Sequence, residues 1–238
     1  MAILCRDIGL LFLQAPHTGS TSLGTLFRED FGGVKLLEDR VRDDRGRIVL
    51  RQKHQSLPQL LEAGLITPDE RADLLVVVGV RNPYDLVLTE YARNREAGTI
   101  SVSQRLIRHL PGISDDFSAP DFERFVVRRY TPNPLYRALG RRAMVPVDWT
   151  AGADHIIRFE AMQDGLDEAL RAVGVTEPHL LPHRNPTRSR RDRDYRTLYT
   201  PRAREIVSRT YARELRQHRY SFDPEPEGGQ RESDILPV

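Results

Sequence analysis

Two stretches of this chain carry residue types suited to holding an anion. The first is Pro16-His17-Thr18-Gly19-Ser20-Thr21-Ser22, a turn with one glycine and a row of hydroxyls. It follows the short apolar run Leu10–Leu13 and precedes a helical pattern reaching Phe27. A strand that ends in such a turn and opens a helix leaves backbone amides aimed at one spot, with the positive end of the helix dipole behind them. That arrangement seats a phosphate. Gly19 lets the backbone come close to the charge, and Ser20, Thr21 and Ser22 add hydroxyl donors. An ordinary capped helix is the plainer reading of the same residues. A Walker-type loop fits worse, because Ser20 follows Gly19 where a Lys-Ser/Thr pair belongs.

The second stretch is Arg81-Asn82-Pro83, directly after Leu74–Val80. A guanidinium at the end of a buried strand can fork onto a phosphate, and Thr89, roughly two turns along the following helix, can bond the same group. The competing role for Arg81 is an ion pair with a nearby acid such as Asp85.

These residues need elements to position them. Leu10–Leu13 and Leu74–Val80 are unbroken apolar runs, which read as strands buried on both faces, and Asp154–Glu160 is a third strand candidate. Each leads into a helix. Asn82 caps and Pro83 opens a helix predicted to reach about Glu96. The stripe Met162, Leu166, Leu170, Val173 follows the third strand. Strand-to-helix order three times over predicts α/β architecture with a central parallel sheet flanked by helices, and places the exits after Ala15 and after Val80 on one rim. Between them, Asp43–Gly46 signals a hairpin-like turn, and Leu57, Leu60 and Leu61 a helix stopped by Gly64. Short helices are predicted within 101–139, and a long last helix starts at Thr200-Pro201. Residues 1–222 are expected to form one domain and 223–238 a disordered tail.

Composition narrows the class. The 238 residues hold 36 basic and 34 acidic side chains, a net charge of +2 that argues for neither a nucleic-acid nor a membrane partner. Cys5 is the only cysteine, so no intrachain disulfide forms and a reducing cytoplasm suits the chain. The apolar run near residue 10 is too short to cross a bilayer. The histidines show no metal-ligand spacing, so no metal is expected. One basic feature stands out: the arginine-dense loop Arg184–Arg196, broken by Asp192 and Asp194. It reads as a solvated charge run, or as a nucleic-acid-binding module that contacts phosphates.

The two rim segments resemble sulfotransferases that use 3′-phosphoadenosine 5′-phosphosulfate (PAPS). Pro16 to Leu23 is similar to their 5′-phosphosulfate loop, and Arg81-Asn82-Pro83 with Thr89-Glu90-Tyr91 to their 3′-phosphate motif, Thr89 replacing the usual serine. Lys53-His54, the IIRFE strand, the PHRNPT segment and the closing HRYSF resemble the carbohydrate branch (2-O and chondroitin type). The likeness runs to about Phe222. It implies a P-loop-like three-layer fold, with sulfuryl transfer from PAPS to a hydroxyl or amine of a carbohydrate or small-molecule acceptor, leaving 3′,5′-adenosine bisphosphate. It further implies that His17, Thr18, Gly19, Ser20, Thr21, Ser22, Arg81 and Thr89 hold the donor, with Arg184, Asn185 and Arg188 closing its nucleotide side. His54 becomes the general base, with Glu160 and Asp85 as substitutes; an exposed loop or capping histidine is the plainer reading of His54. One departure matters. His17 stands where the family has a lysine on the oxygen bridging phosphate and sulfate, and a neutral imidazole donates one hydrogen bond and no charge. Anions beside it favour its protonated form, which implies activity that falls as pH rises; a non-catalytic nucleotide-binding relative is the alternative.

Overall fold

The computed structural model describes residues 2–50, 52–96, 118–132, 143–182 and 194–223. It is mixed α/β and divides into two compact units. The first comprises residues 1–81, 89–100 and 146–191; the second comprises 82–88, 101–145 and 192–238.

The first unit is built on a five-stranded sheet. In chain order its strands are β1 (Ala2–Cys5), β2 (Leu10–Leu13), β3 (Val34–Lys35), β6 (Leu75–Val80) and β7 (His155–Arg158). In space the order is β3-β1-β2-β6-β7. A separate hairpin pairs β4 (Val41–Arg42) with β5 (Ile48–Leu50) across the predicted Asp43–Gly46 turn, where Gly46 has a φ of 73°. The expectation of a parallel sheet holds for β2, β6 and β7 and is corrected at the other edge. There β1 runs antiparallel to β2, and β3 antiparallel to β1. The antiparallel turn is local: Arg6–Ile8 make one 3₁₀ turn, and Gly9 in the left-handed region (φ 60°) returns the chain, which a connection this short permits only between antiparallel strands.

Helices cover both faces. On one, α1 (Ser20–Glu29) sets Leu23, Leu26 and Phe27 against Ile3, Cys5, Leu10 and Phe12, while α6 (Met162–Ala172) adds Leu166, Ala169 and Leu170. On the other, α2 (Leu57–Glu62) packs Leu57 and Leu60 against Leu4, Leu11, Leu13, Val76 and Val78. Residues of β2 alternate between the two cores, which explains its unbroken apolar sequence. Two capped N-termini match their residue types. Ser56 and Gln59 form a capping box on α2, and Thr67 and Glu70 form one on α3 (Pro68–Ala72), a helix with no apolar stripe to announce it. Helix α4 (Pro83–Glu96) has the predicted bounds.

The second unit holds α5 (Ala119–Tyr130), α7 (Pro201–Thr210) and α8 (Ala212–Gln217). The expected long last helix is broken at Tyr211. Rings of Tyr84, Tyr195, Tyr199 and Phe222 pack on one another with centroids 5.0 to 6.3 Å apart, so Ser221-Phe222 is anchored beside the start of α4. Among the described residues, no helix is long and apolar enough to cross a membrane. The helix expected around Leu106–Leu110 and the tail from residue 224 lie outside the described residues.

Candidate functional site

Three strand exits of the first unit converge. β2 ends in Gln14-Ala15, and the turn Pro16–Gly19 leads into α1. Thr18 sits at the tightest point. Its Oγ1 donates to the Ala15 carbonyl at 3.0 Å, and it nests on β6 where Gly79 has no side chain; a Cβ there would stand 2.9 Å from Thr18 Oγ1. The glycine inside the second strand is therefore what lets the turn lie on the sheet edge.

Gly19 is the N-cap of α1, with a φ of 71°. Having no side chain, it supplies no side-chain oxygen to cap the first turn, where the Ser22 amide donates to the Gly19 carbonyl at 3.0 Å. The site is close-packed behind it: a Cβ on Gly19 would stand 2.4 Å from Met162 Sδ and 3.2 Å from Phe159 Cδ2. Ser20 and Ser22 are buried and Thr21 is exposed, so the three hydroxyl residues face different surroundings. His17 is a non-glycine residue at a φ of 62°, a left-handed conformation that costs about 1–2 kcal/mol and is found where surrounding contacts enforce it.

One such contact comes from Arg81, at the end of β6. Its Nη1 donates to the His17 carbonyl oxygen at 3.0 Å. Its guanidinium carbon lies 3.6 Å from the centroid of the Phe159 ring, which follows β7. Arg81 is only 6% exposed, so its charge sits in a poorly solvated place where a cation–π contact is worth about 2 kcal/mol. Phe159 thus touches both expected anchors, since its ring is also the wall behind Gly19. It was not among the expected site residues. The available signal was an aromatic directly after the third strand candidate.

After Arg81 the chain enters α4 as expected: Asn82 Oδ1 accepts from Tyr84 N at 3.1 Å, an N-cap bond. Thr89 is 2% exposed in the body of that helix.

His54 approaches from the segment before α2. It is exposed, has a φ of 63°, and its Nδ1 lies 2.8 Å from the carbonyl oxygen of Gln14, with the Trp149 ring edge-on at 6.3 Å. The residue expected as base is therefore bonded to Gln14, which directly follows β2 and precedes the Pro16–Gly19 turn. Of its expected substitutes, Glu160 is exposed in the 3₁₀ turn Phe159–Ala161 and Asp85 is buried in the first turn of α4. His155 Nε2 is 3.0 Å from the Gly165 carbonyl, and His179 pairs with Asp30 at 2.9 Å. No cluster that could hold a metal occurs among the described residues.

Arg184, Asn185 and Arg188 lie outside the described residues. At the far end of that loop, Asp194 receives a hydrogen bond from the Arg196 side chain, and this holds its carboxyl below the usual carboxylate range. Compared with protein-family models, with curated proteins and with solved structures, the chain finds no match in any of the three.

Proposed function

We propose that the chain is a sulfotransferase carrying the sulfuryl group of PAPS to a hydroxyl or amine of a carbohydrate or small-molecule acceptor, on a P-loop-like arrangement of β2, its loop and α1. One observation carries the reading: the Arg81 side chain is hydrogen-bonded to the His17 backbone. The residues expected to grip opposite ends of one nucleotide are therefore neighbours.

In this reading the Gly19 cap and the first amides of α1, with Ser20, Thr21 and Ser22, take the phosphosulfate end. Arg81 and Thr89 take the 3′-phosphate, where a forked guanidinium gives both charge and orientation. Arg184, Asn185 and Arg188 close the nucleotide side. PAPS supplies an activated sulfuryl group. The acceptor oxygen forms a bond to sulfur as the sulfur–oxygen bond to the 5′-phosphate breaks. That electron pair stays on the phosphate oxygen of 3′,5′-adenosine bisphosphate, and the acceptor proton passes to His54 Nε2. General-base help of this kind is worth about 10²–10⁴ in rate. A protonated His17 beside the bridging oxygen steadies the charge that develops there.

The test is retention on a 3′,5′-adenosine bisphosphate resin, together with transfer of radiolabelled sulfate to a panel of acceptors. Retention that is lost in Arg81→Ala, with label transferred, is the expected result. Salt-sensitive duplex DNA binding that survives Arg81→Ala would point to an arginine-rich nucleic-acid module instead. Retention without transfer to any acceptor would point to a non-catalytic relative.

A further inference from the structure

Gln14 touches both halves of the site through different atoms. It is 7% exposed, at the carboxyl end of β2. Its backbone oxygen lies 2.8 Å from His54 Nδ1. Its side-chain Nε2 donates to the carbonyl oxygen of Ser20, the first residue of α1, also at 2.8 Å. Gly24, about one turn further along α1, makes room for that amide: a Cβ at Gly24 would stand 2.1 Å from Gln14 Nε2.

The first contact fixes a tautomer. A carbonyl oxygen only accepts, so Nδ1 carries the proton and the neutral ring keeps its lone pair on Nε2. The second contact fixes where α1 begins, because it holds the residue after Gly19 against the end of β2.

We propose that Gln14 is a positioning residue that couples His54 to the anion loop, its carbonyl selecting the Nε2-basic tautomer and its amide setting the start of α1. A shift of the loop then moves the base, and a shift of the base is resisted by the loop. That His54 serves as base rests on the sulfotransferase reading; the coupling itself does not.

Two variants perturb the same side chain from opposite directions. Gln14→Leu removes the amide donor, and Gly24→Ala pushes the amide off Ser20 while improving helix propensity. The readouts are the His54 imidazole tautomer by nitrogen-15 NMR, assigned with His54→Gln, the dissociation constant for 3′,5′-adenosine bisphosphate, and kcat. In the unaltered protein His54 is expected as the Nδ1–H tautomer. Both variants are expected to give a tautomer mixture, weaker bisphosphate binding and kcat lower by about a hundredfold, the scale of a misplaced catalytic group. An Nε2–H tautomer in the unaltered protein overturns the proposal, as does a tautomer unchanged in a folded Gly24→Ala protein. If Gln14→Leu does not fold, Gly24→Ala decides. If the unaltered protein neither binds the bisphosphate nor transfers sulfate, the sulfotransferase reading fails while the tautomer measurement still decides the coupling.

Discussion

Arg81 Nη1 reaches the His17 carbonyl oxygen across 3.0 Å, so one charge-assisted bond ties the exit of β6 to the turn that follows β2. The same guanidinium lies flat enough on Phe159 for its carbon to stand 3.6 Å from the ring centroid. Its charge is thus held in place before any ligand arrives, and preorganised charge loses little on binding.

On the proposed sulfotransferase reading, Arg81→Ala weakens 3′,5′-adenosine bisphosphate binding by about ten- to 150-fold, the range for a hydrogen bond to a charged group worth about 1.5–3 kcal/mol. Arg81→Lys should recover little of it, because an ammonium supplies neither the fork nor the planar stack. Isothermal titration calorimetry on both variants checks this, and full affinity in Arg81→Lys would show that a point charge suffices.

Phe159→Leu keeps the apolar wall behind Gly19 but removes the ring under Arg81. The cation–π contact is made in the ligand-free protein, so its loss should lower stability by about 0.5–2 kcal/mol; on the proposed reading, bisphosphate affinity falls only by as much as the guanidinium is then held less firmly. In a double-mutant cycle with Arg81→Ala the two effects should be non-additive, since both act through one guanidinium.

The strand exits were legible in the sequence because each buried strand is an apolar run that stops at a residue unable to continue it. Leu10–Leu13 stops before Pro16, and Leu75–Val80 stops before an Asn-Pro cap. What was not legible is of two kinds. Ala2–Cys5 is as short and apolar as Leu10–Leu13, but it ends in Arg6-Asp7 and not in a turn that opens a helix, so the strand-to-helix pattern does not reveal it or the antiparallel edge it forms. Phe159 and Gln14 matter through partners remote in sequence, or through a backbone atom that carries no residue signature. The long closing helix failed at Tyr211 because the apolar spacing of Val207, Tyr211 and Leu215 runs on through the break.

Gly19→Ala should destabilise the chain on two counts. Its φ of 71° costs a side-chain-bearing residue about 1–2 kcal/mol, and the new Cβ would press to 2.4 Å from Met162 Sδ. Pairing it with Met162→Ala relieves only the second. Thermal denaturation should show a lowered Tm in Gly19→Ala, and no recovery to the original value in the double variant. Full recovery would mean that the left-handed backbone carries no cost here.

Alkaline pH offers a probe of the core that does not depend on any ligand. Cys5 is fully buried among Ile3, Leu10, Phe12 and Phe27, and burial, with Asp7 adding to it, pushes its thiol up to about 11 from an ordinary value of 9.0. The folded state therefore keeps a proton that the unfolded chain gives up. Stability from this group is complete below pH 9 and is lost as pH rises towards 11, by an amount on the order of 2–3 kcal/mol. Tyr195, raised by burial to about 12, and Tyr199, raised well above its ordinary value by burial, start from a higher ordinary value and lose their contributions at higher pH. Urea unfolding between pH 8 and 10.5 should accordingly show falling stability, and Cys5→Ala should remove most of that slope while lowering stability at pH 8. The native thiol should also react slowly with a disulfide reagent at pH 8 and rapidly once unfolded. A pH slope that survives Cys5→Ala undiminished would assign the alkaline loss to the phenols instead.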